Sequence, residues 1–292
     1  MLNRLPALSV ICALLATACG GQPEAWHKDL GHAGSALTSD NGLSTNGLST
    51  NGLSTNGLSS TAFASWFASN PLNNWLLMKY LVRCALPAGA SLSYTDLGVT
   101  STWAGELALA PTWTAGGAIP VVEQELVSAC LAAHTNKWGL PVNISVRGYY
   151  SSGTYITVSG SEQSSYPNDE GCFFGNIFNG AGVFSAYSAL SPLRSASKTS
   201  LRACAVSGGV LGSCAPIGTT SATCQSLCTG QYGSSYFEYT SCTWNGVSYH
   251  PISTRLANAD IATCGDGICQ LSESCYNSAT GAGCAADCGV CK

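Results

Sequence analysis

Sixteen cysteines constrain this 292-residue chain more than any other feature. Cys12 and Cys19 stand apart at the amino end. The other fourteen are Cys84, Cys130, Cys172, Cys204, Cys214, Cys224, Cys228 and Cys242, then Cys264, Cys269, Cys275, Cys284, Cys288 and Cys291. The eight and the six are both even counts, on either side of a gap near residues 253–263, the pattern expected of two separately crosslinked domains. In an exported chain an even count implies disulfides. Zinc is the competing use, but the only Cys-x-x-Cys pair is Cys288 with Cys291, and no second pair of that spacing completes four ligands.

Export follows from the amino end. A short region with one positive charge, Met1 to Arg4, precedes the apolar run Leu5 to Ala18, which has signal-peptide length and is too short for a stable membrane span. Ala16-Thr17-Ala18-Cys19 followed by Gly20-Gly21 resembles the lipobox of bacterial lipoproteins, with Ala16 where that pattern prefers leucine. The resemblance implies cleavage after residue 18, acylation of Cys19, and anchoring in a lipid bilayer at the cell envelope. Charged residues make up only 9% of the chain, and a net charge of −4 with eleven scattered Lys and Arg excludes a phosphate-neutralising stripe. Nucleic acid is therefore not an expected partner.

Four pentads run from Asn41 to Ser60 as NGLSTNGLSTNGLSTNGLSS. Leu43, Leu48, Leu53 and Leu58 recur every five residues, a period that neither an α-helix nor a strand gathers on one face. A stacked solenoid needs more than the single coil four pentads supply. Residues 19–60 are expected to form a flexible stalk, reaching roughly 35 Å. The alternative is that the leucines dock on the body of the domain or on a partner.

Residues 61–252 are expected to form a disulfide-stabilised α+β domain with two helices and an antiparallel sheet, joined by a linker at 253–263 to a six-cysteine module at 264–292. Asn70-Pro71 starts a helix over Pro71–Leu86, and a second runs from about Pro120 to Trp138 with Gly139 as its stop. Cys84 and Cys130 then sit one on each helix and are expected to be bonded to each other. Strand-like runs are Leu92–Leu97, Val142–Tyr150, Ile156–Gly160, Val183–Leu190 and Tyr239–Trp244.

The order of NGLST repeats, Trp66-Phe67, Asn70-Pro71, LMKYLVRCALPAG, LVSACLAAHTNKWG, VNISVRG and EGCFFGNIF resembles a group of uncharacterised exported lipoproteins from myxobacteria. That resemblance implies a shared architecture and brings no activity. The tail, with Cys264-Gly-Asp-Gly and Cys284-Ala-Ala-Asp-Cys-Gly-Val-Cys291, looks like the Cys-Gly-Asp-Gly repeat domains of secreted bacterial proteins, although the interval from Cys275 to Cys284 is longer than usual. In so short a segment three crosslinks must substitute for a core. Asp266, Glu273 and Asp287 then stand close together, a candidate calcium site, although a strong one takes 6–8 oxygen ligands.

Catalytic signatures are thin. Cys130 with His134 four residues on could place a thiol beside a base, but a free thiol conflicts with the even count. Glu123 and Glu125 open the second helix, where carboxylates favour its positive end. His250 has no partner in its vicinity, Asp169-Glu170 forms the most exposed acidic spot in an ordinary turn, and no Gly-x-Ser-x-Gly elbow occurs. Trp103, Trp113, Tyr149, Tyr150 and Tyr155 supply aromatics that could stack on a glycan or a protein partner. The expected role is binding or structural, with an extracellular hydrolase as the alternative.

Overall fold

The computed structural model describes residues 58, 60–135, 143–190, 217–232, 237–258 and 285–289. Cys19, Cys204, Cys214, Cys264, Cys269, Cys275, Cys284, Cys291, Asp266, Glu273 and the first three pentads lie outside the described residues. The elements are α1 (Thr61–Ser69), α2 (Pro71–Ala85), β1 (Ser91–Asp96), β2 (Val99–Ala104), α3 (Pro111–Thr114), α4 (Val121–Ala133), β3 (Ile144–Gly148), α5 (Gly160–Ser165), β4 (Asn168–Asn176) and β5 (Gly182–Tyr187). After these come β6 (Ile217–Thr223), α6 (Cys224–Leu227), β7 (Cys228–Tyr232), β8 (Phe237–Trp244), β9 (Val247–Tyr249), β10 (Ile252–Leu256) and α7 (Ala285–Cys288). The fold is α+β.

Helix α2 begins as its sequence dictates. Asn70 Oδ1 accepts the Asn73 backbone N–H at 3.4 Å and Pro71 takes the first helical position, where its missing N–H costs nothing. Together α1, α2, α3 and the β1–β2 hairpin enclose one core around Phe63, Phe67, Met78, Leu81, Trp103 and Trp113. The hairpin turns on Leu97 and Gly98, both at positive φ, as two-residue hairpin loops require. Leu58 is buried in this same core. The leucine of the last pentad therefore belongs to the body, and the expected stalk ends before it rather than at residue 60.

Helix α4 packs on one face of a five-stranded sheet ordered β3-β10-β4-β5-β6, antiparallel except for the parallel β5–β6 pair. Leu126, Ala129, Cys130 and Ala133 of α4 meet Val146, Phe173, Val183, Ile217, Ile252 and Leu256 from the strands. The opposite face carries Cys172, Phe174 and Ala186 against Tyr239, Cys242 and Tyr249 of a second sheet ordered β7-β8-β9. Helix, sheet and sheet thus form three layers, and β4, covered on both sides, is buried from Glu170 to Asn176. Its Gly175, at φ +128°, lies against β5 so closely that a Cβ would stand 2.3 Å from the Gly182 carbonyl oxygen.

Among the described residues three disulfides are formed: Cys84–Cys130 joins α2 to α4, Cys172–Cys224 joins β4 to α6, and Cys228–Cys242 joins β7 to β8. Cys288 on α7 is also disulfide-bonded. Some expectations are corrected. The run Ile156–Gly160 is not a strand: Ser159 caps α5 by accepting the Glu162 N–H at 3.1 Å, which commits the chain to a helix. Residues 253–256, expected in the linker, form most of β10 between β3 and β4, so the body extends past residue 252.

Candidate functional site

The paired carboxylates at the start of α4 do more than favour its positive end. Glu123 is buried and accepts the backbone N–H groups of Thr112 at 2.9 Å and Trp113 at 3.1 Å, capping α3, whose own cap residue Ala110 offers no side-chain acceptor. Glu123→Ala would strand the buried Trp113 N–H and the part-buried Thr112 N–H and is expected to cost about 2 kcal/mol, read as a lowered urea midpoint in wild-type and variant melts.

Two residues on, Glu125 accepts the backbone N–H of His250 at 3.1 Å, and the same oxygen lies 2.6 Å from His250 Nδ1. The carboxylate is buried while the imidazole side chain is 43% exposed. With Nδ1–H donating to Glu125, the Nε2 lone pair is left for another partner. His250 therefore has a partner, 125 residues away in sequence, contrary to its expected isolation.

His134 and Cys130 behave differently. Nδ1 of His134 lies 2.8 Å from the Cys130 carbonyl oxygen and 3.7 Å from Sγ, but that sulfur is bonded to Cys84. The thiol nucleophile weighed for this pair is absent from the oxidised protein. Asp169 and Glu170 are also not an exposed turn. Both lie in β4, where Asp169 meets Arg255 Nη1 at 2.6 Å and the fully buried Glu170 accepts from the Thr254 hydroxyl at 2.5 Å.

The aromatic candidates divide. Trp103 and Trp113 are core residues. Tyr149, Tyr150 and Tyr155 stay half-buried on a tight hairpin closed by Tyr150 N–H to Thr154 O at 2.7 Å and Ile156 N–H to Gly148 O at 2.9 Å. The rings of Tyr149 and Tyr155 lie 4.2 Å apart between centroids, and Ser151, Ser152 and Thr154 between them are exposed. Behind this hairpin is a buried charged group that no sequence pattern announces. Val146 faces α4, so the alternation of β3 turns Arg147, 3% exposed, toward β8. There Glu238 is buried, and its Oε2 has no hydrogen-bond partner among the described residues. Burial pushes the Glu238 carboxyl up to about 7, with Arg147 and Arg255 opposing the shift and Asp169 adding to it. The Tyr149 hydroxyl is held above its ordinary range, first by burial, then by the neighbouring Tyr155, with the charge of Glu238 contributing.

Of the proposed calcium ligands only Asp287 is described, half-buried on α7. Among the described residues no helix is long and apolar enough to cross a membrane. Comparison with known families gives one match, a GLTT repeat model with six copies over residues 40–60. The chain carries GLTT repeats. One leucine of the GLTT segment, Leu58, lies in the body's core. No curated protein and no solved structure gives a significant match.

Proposed function

We propose that this chain is an exported bacterial lipoprotein, acylated at Cys19, whose disulfide-stapled body is a binding module displayed on the cell envelope. The Tyr149–Tyr155 hairpin is its recognition face, and the ligand is a neutral, hydroxyl-bearing molecule such as a glycan. The observation that carries this reading is the close tyrosine pair with its hydroxyl-rich tip, half-exposed where Trp103 and Trp113 are buried. Tyrosine rings offer apolar faces for sugar C–H surfaces, and serine and threonine hydroxyls exchange hydrogen bonds with a neutral ligand without a charge-desolvation cost. The lipobox-like amino end, the GLTT segment, and the resemblances to myxobacterial exported lipoproteins and to the Cys-Gly-Asp-Gly repeat support the same address.

The test is cosedimentation with peptidoglycan together with a neutral-glycan panel, for wild type and the Tyr149→Ala/Tyr155→Ala double variant. Each ring contributes about 1 kcal/mol, so affinity for at least one matrix is expected to fall about thirtyfold in the variant with its melting curve preserved. No enrichment of wild type over a scrambled matrix contradicts the proposal. One specific feature favours the hydrolase alternative: the Glu125–His250 pair orients an accessible imidazole as a general base would need. Hydrolysis of a panel ester or glycoside that is abolished by His250→Gln would favour it over simple binding.

A further inference from the structure

Four cysteines from four elements of the sheet region meet in one place. Cys172 comes from β4, Cys224 from α6, Cys228 from β7 and Cys242 from β8. Cys172, Cys224 and Cys242 are fully buried, and Cys228 alone keeps some exposure, at 8%. They are paired as Cys172–Cys224 and Cys228–Cys242, yet the sulfurs of Cys172 and Cys228, which belong to different disulfides, lie only 3.6 Å apart. The sulfurs of Cys172, Cys228 and Cys242 all fall within 4.8 Å of one another. Beside the Cys84–Cys130 bond, by contrast, stands His134 rather than a further cysteine among the described residues.

We propose that Cys172, Cys224, Cys228 and Cys242 form a thiol–disulfide exchange centre that takes electrons from a dithiol and moves the Cys172 bond between Cys224 and Cys228. Exchange proceeds by attack of a thiolate on a disulfide sulfur, so it needs a thiolate already at near-contact distance and a leaving sulfur that can hold its charge or proton. One thiolate of the dithiol attacks Cys228, the least buried of the four residues, and Cys242 leaves as a thiolate that takes up a proton. The second thiol of the dithiol closes its own disulfide and releases Cys228 as a thiolate. Two electrons have then entered the protein and the dithiol is oxidised.

Cys228, 3.6 Å from Cys172, attacks that sulfur in turn. The Cys172–Cys228 bond forms, the Cys172–Cys224 bond breaks, and Cys224 leaves with the electron pair and is protonated. Its position is suited to that state: Cys224 Sγ lies 3.1 Å from the Ala186 carbonyl oxygen, a contact that a thiol uses as a donor and a disulfide sulfur cannot. The crosslink has moved from β4–α6 to β4–β7, which frees α6, a helix of one turn between two cysteines.

The experiment treats the native full-length protein with graded dithiothreitol, quenches in acid, alkylates, and maps crosslinked peptides by mass spectrometry. The expected result is a Cys172–Cys228 peptide appearing at about two electrons per molecule, with alkyl label on Cys224 and Cys242. Alkylation of Cys228 and Cys242 with Cys172–Cys224 intact at every dose overturns the proposal. The Cys242→Ala variant tests the second step alone and needs no reductant. Its unpaired sulfur is expected to be shared between Cys228 and Cys224, and label confined to Cys228 overturns the proposal. So does isolation of the protein with these four thiols free around one zinc ion, which would make the cluster a cation site.

Discussion

Replacing both Cys84 and Cys130 by alanine lowers the stability of the body by about 4 kcal/mol and its melting temperature by about 12 °C. The bond spans 46 residues of sequence, and cutting it returns to the unfolded chain the conformational freedom that closing a loop of that length removes. It also joins the two helices on which separate cores are built. Helix α2 lines the core around Trp103 and Trp113, whereas α4 lines the core under the five-stranded sheet. Both cysteines are fully buried, so the alanines leave small voids that add to the loss. Differential scanning calorimetry of wild type and double variant measures the effect, and a melting temperature within about 2 °C of wild type contradicts it.

Stability falls as pH rises from about 4.5 to about 7, and Glu238→Gln removes most of that dependence. The sign follows from which state holds the proton more tightly. In the folded protein burial raises the Glu238 carboxyl to about 7, against 4.5 for the free side chain. The folded state therefore binds the proton better, and the stabilisation this gives is complete below 4.5 and is lost as pH climbs through 7. The full swing is about 3 kcal/mol. Arg147 and Arg255 favour the ionised form and reduce the shift, Asp169 increases it, and Tyr149 and Tyr239 have their own hydroxyls held above the ordinary range beside this charge. Urea melts between pH 4.5 and 7.5 report the slope. Parallel curves for wild type and Glu238→Gln would show that the buried carboxylate is not its source.

Local signals in the sequence marked α2 and the core side of α4, because caps and helical spacing act over a few residues. The same signals, weighed differently, would have found two further features. Ser159-Gly-Ser-Glu162 is a capping-box spacing, and it overrode the β-branched run before it. Ile252-Ser-Thr-Arg-Leu256 alternates in and out, a strand pattern hidden by the even division of cysteines on either side of it. Asn245-Gly246, both at positive φ, makes the β8–β9 hairpin and is the same dipeptide that recurs in the GLTT segment.

What no local pattern could show are contacts closed by the fold. Glu125 and His250 meet across 125 residues, and Asp169 and Arg255 across 86. Glu170 reads as an exposed acid beside Asp169, yet it lies in a strand covered on both faces, where only a partner such as Thr254 makes its burial tolerable. The approach of Cys172 to Cys228 depends on two sheets stacking, and parity alone gives no pairing.

Under the proposed function, covalent sulfur bonds rather than charge or size hold this body rigid outside the cytoplasm. Intact-mass spectrometry of the native product, alkylated under denaturing conditions without reductant, tests that most directly. The account predicts a chain beginning at an acylated Cys19 with no alkyl label on any of the fourteen later cysteines. An unlipidated chain still carrying Met1, with those cysteines alkylated, contradicts it.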